Sequence, residues 1–118
     1  MNNGHAPCIF CTIVEGKTTA ERIYQDETVT AFKDIHPITP VHILVVPNKH
    51  INSMDDAGSE DEALIGHMTL VARQLAQQAG LQPSGYRLVI NTGSDAGQSV
   101  YHLHMHLIGG RPMPFRFE

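Results

Sequence analysis

The sequence predicts an α+β fold, with four or five mostly antiparallel strands and one long helix. Three observations predict it: short apolar runs with period-two alternation, turn-forming clusters between them, and one long stretch with apolar residues at helical spacing. The 118 residues fit a single compact domain. A domain of this size buries roughly two-thirds of its unfolded surface, enough for one core without staples.

Residues 1–7 read as a loose tail, and so do residues 113–118. Ile9 to Val14 is short and apolar, and by pattern alone could be a strand or one to two helical turns; Gly16 breaks it. Arg22–Tyr24 and Thr28–Asp34 form a hairpin around Gln25, Asp26 and Glu27. Period two places Phe32 and Asp34 on one face and Val29 and Ala31 on the other. His36-Pro37-Ile38-Thr39-Pro40 is a turn, because two prolines so close cannot sit inside a ladder. Val41 to Val46 is a buried central strand interrupted by His42.

Ser59 to Ala79 reads as the long helix, opened by a Ser59–Glu62 capping box. Its apolar stripe is Leu64, Met68, Val71, Ala72 and Leu75, and Gly80 stops it. Tyr86 to Asn91 is a further strand. A Gly- and Ser-rich loop, residues 92–99, leads to a last strand from about His102 to Gly109. There is no internal repeat or low-complexity tract.

The formal charge of −4 gives no electrostatic reason to expect nucleic acid or an acidic membrane as partner. No secretory pattern precedes the apolar segments, and no apolar run approaches the roughly 20 residues of a membrane helix. A soluble, cytoplasmic protein is the expectation. The two cysteines, Cys8 and Cys11, are too few and too close for a secreted disulfide framework.

Eight histidines in so short a chain call for a chemical explanation, and three occupy His102, His104 and His106. In a strand they share one face, roughly 7 Å apart, while Leu103, Met105 and Leu107 share the other. Three readings compete: a polar exposed face, a three-histidine catalytic metal site, and nucleophilic catalysis by one imidazole beside others that bind anionic oxygens. Spacing does not separate the last two.

The pattern His-φ-His-φ-His-φ-φ, with φ apolar, resembles the signature of the histidine-triad superfamily, and residues 102–108 match it throughout. The likeness extends through Phe32-Lys33-Asp34-Ile35, Val41 to Pro47 and Asn91 to Tyr101, covering roughly residues 8–112. The segment 91–101 resembles the nucleotide-binding (HINT) branch. His106 stands where the galactose-1-phosphate uridylyltransferase branch has Gln, which favours a hydrolase. The resemblance implies a five-stranded sheet with a short N-terminal helix.

It also implies that His104 attacks the α-phosphorus of a purine nucleoside 5′-phosphoramidate, forming a nucleotidyl-histidine that water cleaves. His102 would orient His104 through its carbonyl, while His106 and His42 would donate to phosphoryl oxygens. Asn91 and Ser99 match positions that contact phosphate and leaving group, and Ser99 could hand the departing amine a proton. Asp34 would accept the ribose hydroxyls, and Ile9, Phe10, Ile13, Phe32 and Ile35 would line a purine slot. The loop from Gly93 to Gly97 could offer amides to an anion. No catalytic cofactor is implied. A structural zinc on Cys8, Cys11, His50 and His102 is, together with a homodimer formed through the long helix and the strand after it. The alternatives are a dinucleoside polyphosphate hydrolase and a nucleotide-binding regulatory module with little turnover.

Overall fold

The computed structural model describes residues 8–114. The expected N-terminal tail and residues 115–118 of the expected C-terminal tail lie outside the described residues. The elements run α1 (Ile9–Val14), β1 (Arg22–Gln25), β2 (Val29–Lys33), β3 (Val41–Pro47), α2 (Glu62–Gln78), β4 (Tyr86–Val89) and β5 (Met105–Gly109). The strands form one sheet in the order β1-β2-β3-β5-β4, and every neighbouring pair is antiparallel. Among the described residues, no helix is long and apolar enough to cross a membrane.

The two faces of the sheet are covered differently. Val29, Ala31, Ile43, Val45, Met105 and Leu107 pack with Met68, Val71, Ala72 and Leu75 of α2. The alternate residues Phe32, Leu44 and Val46 pack with Phe10 and Ile13 of α1. Strand alternation therefore sends one set of residues to the long helix and reserves the other face for the short one. The ambiguous segment 9–14 is helical because Phe10 and Ile13, three residues apart, both reach this second cluster.

The β1–β2 turn is held by Asp26. Its Oδ1 accepts the Thr28 and Val29 amides at 2.8 Å each, and its Oδ2 takes the Tyr24 hydroxyl and His67 of α2 at 2.6 Å each. Burial pushes this carboxyl up, but those donors outweigh it and hold it well below the usual range.

Three expected boundaries differ. A 3₁₀ turn at Ser59–Asp61, capped by Gly58, precedes α2, whose own N-cap is Asp61 and not Ser59. The Asp61 carboxylate accepts the Gly58 amide at 2.9 Å, so Asp61 supplies the return bond assigned to Glu62. The last strand starts at Met105 rather than His102. Continuing the β3–β5 register would set Leu103 opposite Pro47, which has no amide hydrogen to donate. The Leu103 amide goes instead to the Ile51 carbonyl at 2.6 Å. The β4–β5 register would set Asn91 opposite His104, which is out of the ladder, and Asn91 lies in coil.

Candidate active site

His102 and His104 precede β5 but keep its parity. Leu103 and Met105 enter the α2-side core, and His102 and His104 both make edge contacts with Phe10 on the α1 side. The even spacing expected of a flat imidazole wall is not kept. The rings of His104 and His106 lean together, with centroids 5.0 Å apart and planes at 65°.

Hydrogen-bond partners fix where each ring proton sits. His104 Nδ1 lies 2.7 Å from the His102 carbonyl. A carbonyl only accepts, so Nδ1 carries the proton and Nε2 keeps a bare lone pair. His42 is the reverse case. Its Nδ1 accepts the Ile38 amide at 3.2 Å, which leaves the proton on Nε2. That Nε2 lies 2.9 Å from His106 Nδ1 and 3.4 Å from Asp34 Oδ2. His106 Nδ1 is then an acceptor, and its own proton sits on Nε2. His104 and His106 thus hold opposite tautomers, one with Nε2 bare and one with Nε2 protonated.

Burial favours the neutral form of His42, His106 and His102. It lowers His42 below the ordinary histidine range, against the opposing pull of Asp34. It lowers His106 to about 4, helped by His104 and His42. It also lowers His102, although the bond to the Pro47 carbonyl works the other way.

A cavity of about 1040 Å³ opens on this face, lined by His42, His104, His106, Asp34, Asn91 and Ser99. Its apolar wall includes Ile9, Phe10, Ile13, Phe32 and Ile35. All but two of the residues expected at the catalytic and nucleotide positions therefore meet at one opening. The exceptions are His102, fully buried behind His104, and Gly97, which lies outside the lining. The expected anion cradle at 93–97 has the amides of Gly93, Ala96 and Gly97 committed within the loop. Ala96 and Gln98 donate to the Gly93 carbonyl, Gly97 to Ser94, and Gly93 to the Gln98 side chain at 2.9 Å.

Gln98 is what holds this loop, and sequence reasoning gave it no role. It is buried, and its amide nitrogen also donates to the Asn52 and Val100 carbonyls. Leu44 and Ile108 also line the cavity unannounced. Each stands two residues from a lining histidine, so strand parity was the available signal. Residues 18–21 line the opposite rim and carry no comparable signal.

Behind the cavity, Cys8, Cys11, His50 and His102 bring their ligand atoms within 4.8 Å of one another. His102 Nε2 lies 2.8 Å from the Pro47 carbonyl and His50 Nε2 lies 2.6 Å from Asn52 Oδ1. Both outer nitrogens therefore donate, and both Nδ1 lone pairs turn toward sulfur: His102 to Cys8 at 3.3 Å and His50 to Cys11 at 3.3 Å. Histidine ligands with the far nitrogen tied to an acceptor are the usual arrangement around a bound metal. The donor set fits a metal ion. Without one, burial and then Cys8 push the Cys11 thiol up to about 11, an effect a bound cation reverses.

The HIT domain family profile matches residues 15–113. The chain belongs to the HIT family. It is 47% identical over 105 residues to the purine nucleoside phosphoramidase of Escherichia coli K12, covering 89% of this chain and 88% of that one. Among solved structures, a HIT family hydrolase from Legionella pneumophila Philadelphia 1 superposes with a TM-score of 0.90 at 43% identity, covering 92% of this chain and 97% of that one. A histidine triad protein from Clostridium difficile gives 0.91 at 37% identity, covering 98% and 100%.

The neutral state of His106 in this HIT site has a consequence for stability. Between pH 6.5 and about 4 the unfolded chain binds a proton at this residue that the folded chain refuses. Stability therefore rises with pH across that window and is lost as the pH is lowered from 6.5, the His106 dependence ending below about 4. Urea unfolding of His106→Asn should show a shallower dependence there, by up to about one proton; equal slopes in variant and wild type would contradict the assignment.

Proposed function

We propose that the protein hydrolyses the P–N bond of purine nucleoside 5′-phosphoramidates, of the AMP–amine or aminoacyl-AMP type, through a nucleotidyl group carried on His104. The observation that carries this reading is the 2.7 Å bond from His104 Nδ1 to the His102 carbonyl, which leaves Nε2 bare at the cavity. A neutral imidazole with a free Nε2 is a competent nucleophile toward phosphorus. The phosphoramidase activity named for the Escherichia coli relative supports the choice of bond.

In the first step, His104 Nε2 forms a bond to the α-phosphorus as the P–N bond breaks and the amine departs with a proton. Ser99, exposed on the cavity rim, is the hydroxyl for that proton transfer. In the second step, water displaces His104, a water proton returning to Ser99, and the mononucleotide is released. His106 offers its Nε2–H to the phosphoryl oxygens, where charge builds in both steps. His42 acts from behind, because its one ring proton lies between His106 and Asp34. Asp34 accepts the ribose hydroxyls. Its Oδ1 already takes the His36 amide at 2.7 Å, which fixes the carboxylate while leaving it lone pairs. The apolar wall around Phe10 and Phe32 receives the purine, and Asn91 contacts the phosphate.

The Cys8–Cys11–His50–His102 group would hold a structural zinc. Two thiolates and two neutral imidazoles close a tetrahedral shell, and the ion would cross-link α1 to the chain segments that carry His50 and His102. A homodimer through α2 and β4 is part of the same reading. It is supported by the edge position of β4, with its four half-buried residues, and by Leu70, exposed on α2.

Rapid quenching with an adenosine phosphoramidate should give protein heavier by one adenylyl group, mapped to His104 by peptide mass spectrometry. His104→Ala should lose activity by a factor of about 10⁴ or more. An active His104→Ala enzyme, or faster turnover of a dinucleoside polyphosphate, would overturn the reading. Protein purified without chelator should contain about one zinc per chain, measured by plasma emission; less than about a tenth of an equivalent would remove the zinc.

A further inference from the structure

The tautomer of His106 traces back to the turn at residues 36–40, whose His36 and Ile38 also line the cavity. His106 accepts from His42 Nε2, and His42 has its proton there because Nδ1 accepts the Ile38 amide. Were the Ile38 amide absent or turned away, only the 3.4 Å contact of Nε2 with Asp34 Oδ2 would still favour that form, and His42 would also populate the tautomer with its proton on Nδ1. In the wrong form it would present a lone pair to the lone pair of His106 at 2.9 Å. His106 would then shift its own proton to Nδ1 and turn a bare nitrogen toward the phosphoryl oxygens, where a donor is needed.

The Ile38 amide is held in place by the chain leaving β5. The Arg111 guanidinium donates to the Ile38 carbonyl at 2.9 Å. Thr39 Oγ1 accepts the Gly109 amide at 3.3 Å and donates to the Val41 carbonyl at 2.6 Å. Gly110 has φ +105°, and a Cβ there would stand 2.9 Å from Pro40 Cβ. The turn and the β5 exit are thus fitted together at side-chain, hydroxyl and backbone level. We propose that Arg111 and Thr39 are positioning residues which, by aiming the Ile38 amide at His42, set His106 as the donor of the site.

This inference rests on the reading of His106 as a phosphoryl-oxygen donor, but its test does not need turnover. The ring nitrogens of ¹⁵N-histidine-labelled protein report the tautomer of each histidine directly. The wild-type spectrum should show His106 protonated at Nε2. Replacing the Ile38 amide by an ester, through the corresponding hydroxy acid, removes one N–H with little change of shape. It should convert His106 to a tautomer mixture and slow single-turnover nucleotidylation about tenfold, with AMP affinity changed less than about twofold. Arg111→Met should move the ¹⁵N pattern and the rate the same way by a smaller factor, and Arg111→Lys should restore at least half of each. Thr39→Val should resemble Arg111→Met.

An unchanged His106 pattern in the ester protein would overturn the proposal. So would a slowed Arg111→Met enzyme whose His106 pattern stays wild-type, which would mark Arg111 as structural only. If the tautomers shift as stated and the wild type fails to cleave phosphoramidates, the positioning chain stands and the assigned activity falls.

Discussion

The site depends on one carbonyl. A neutral imidazole has two nitrogens and one proton, and in water neither nitrogen is strongly preferred. The His102 carbonyl, 2.7 Å from His104 Nδ1, removes that freedom. A net hydrogen-bond contribution of about 1 kcal/mol already biases such a choice roughly fivefold. In a buried setting the unmet alternative costs more, because the wrong tautomer leaves the carbonyl without a donor. The carbonyl is itself immobile because the His102 ring is fixed at both nitrogens, to Pro47 on one side and to the two cysteines on the other. The cysteine cluster is thus joined through the His102 residue to the His104 ring.

The same principle, applied with the opposite sign, prepares His106. Its Nδ1 faces a donor where that of His104 faces an acceptor, so identical side chains two residues apart take different roles. Burial keeps both His42 and His106 uncharged near neutrality. That matters twice. A cationic His42 would set an Nδ1 proton against the Ile38 amide, and a cationic His106 would add charge beside the nucleophile. The irregular start of β5 belongs to this arrangement. Pro47 ends the ladder for want of an amide hydrogen, which frees its carbonyl for His102 and lets His102 and His104 approach α1 rather than a neighbouring strand.

Much of this was legible in the sequence because strand parity is a local property. The alternation of His102, Leu103, His104, Met105 and His106 fixed which side chains enter the α2-side core, whether or not the ladder reached that far. Phe32 with Asp34, and His42 with Leu44, followed the same rule. What could not be read were features set by partners distant in the chain. The start of β5 depends on Pro47, 55 residues before His102, and the loop at 93–97 on Gln98 anchored to Asn52, 46 residues away. The tautomers were half legible: the resemblance supplied the His102 carbonyl, but nothing in the residue pattern pointed to the Ile38 amide. Cys8 and Cys11 could be paired with His50 and His102 only through the resemblance, since 39 residues separate Cys11 from His50 and 94 separate Cys8 from His102.

The placement of two protons is the centre of the account, and neutron diffraction from a deuterium-exchanged crystal at neutral pH sees them directly. Nuclear density for a deuteron should lie on Nδ1 of His104, with Nε2 bare, and on Nε2 of His106, with Nδ1 bare. A deuteron on His104 Nε2 would contradict the account, because the nitrogen assigned to attack phosphorus would have no lone pair to offer.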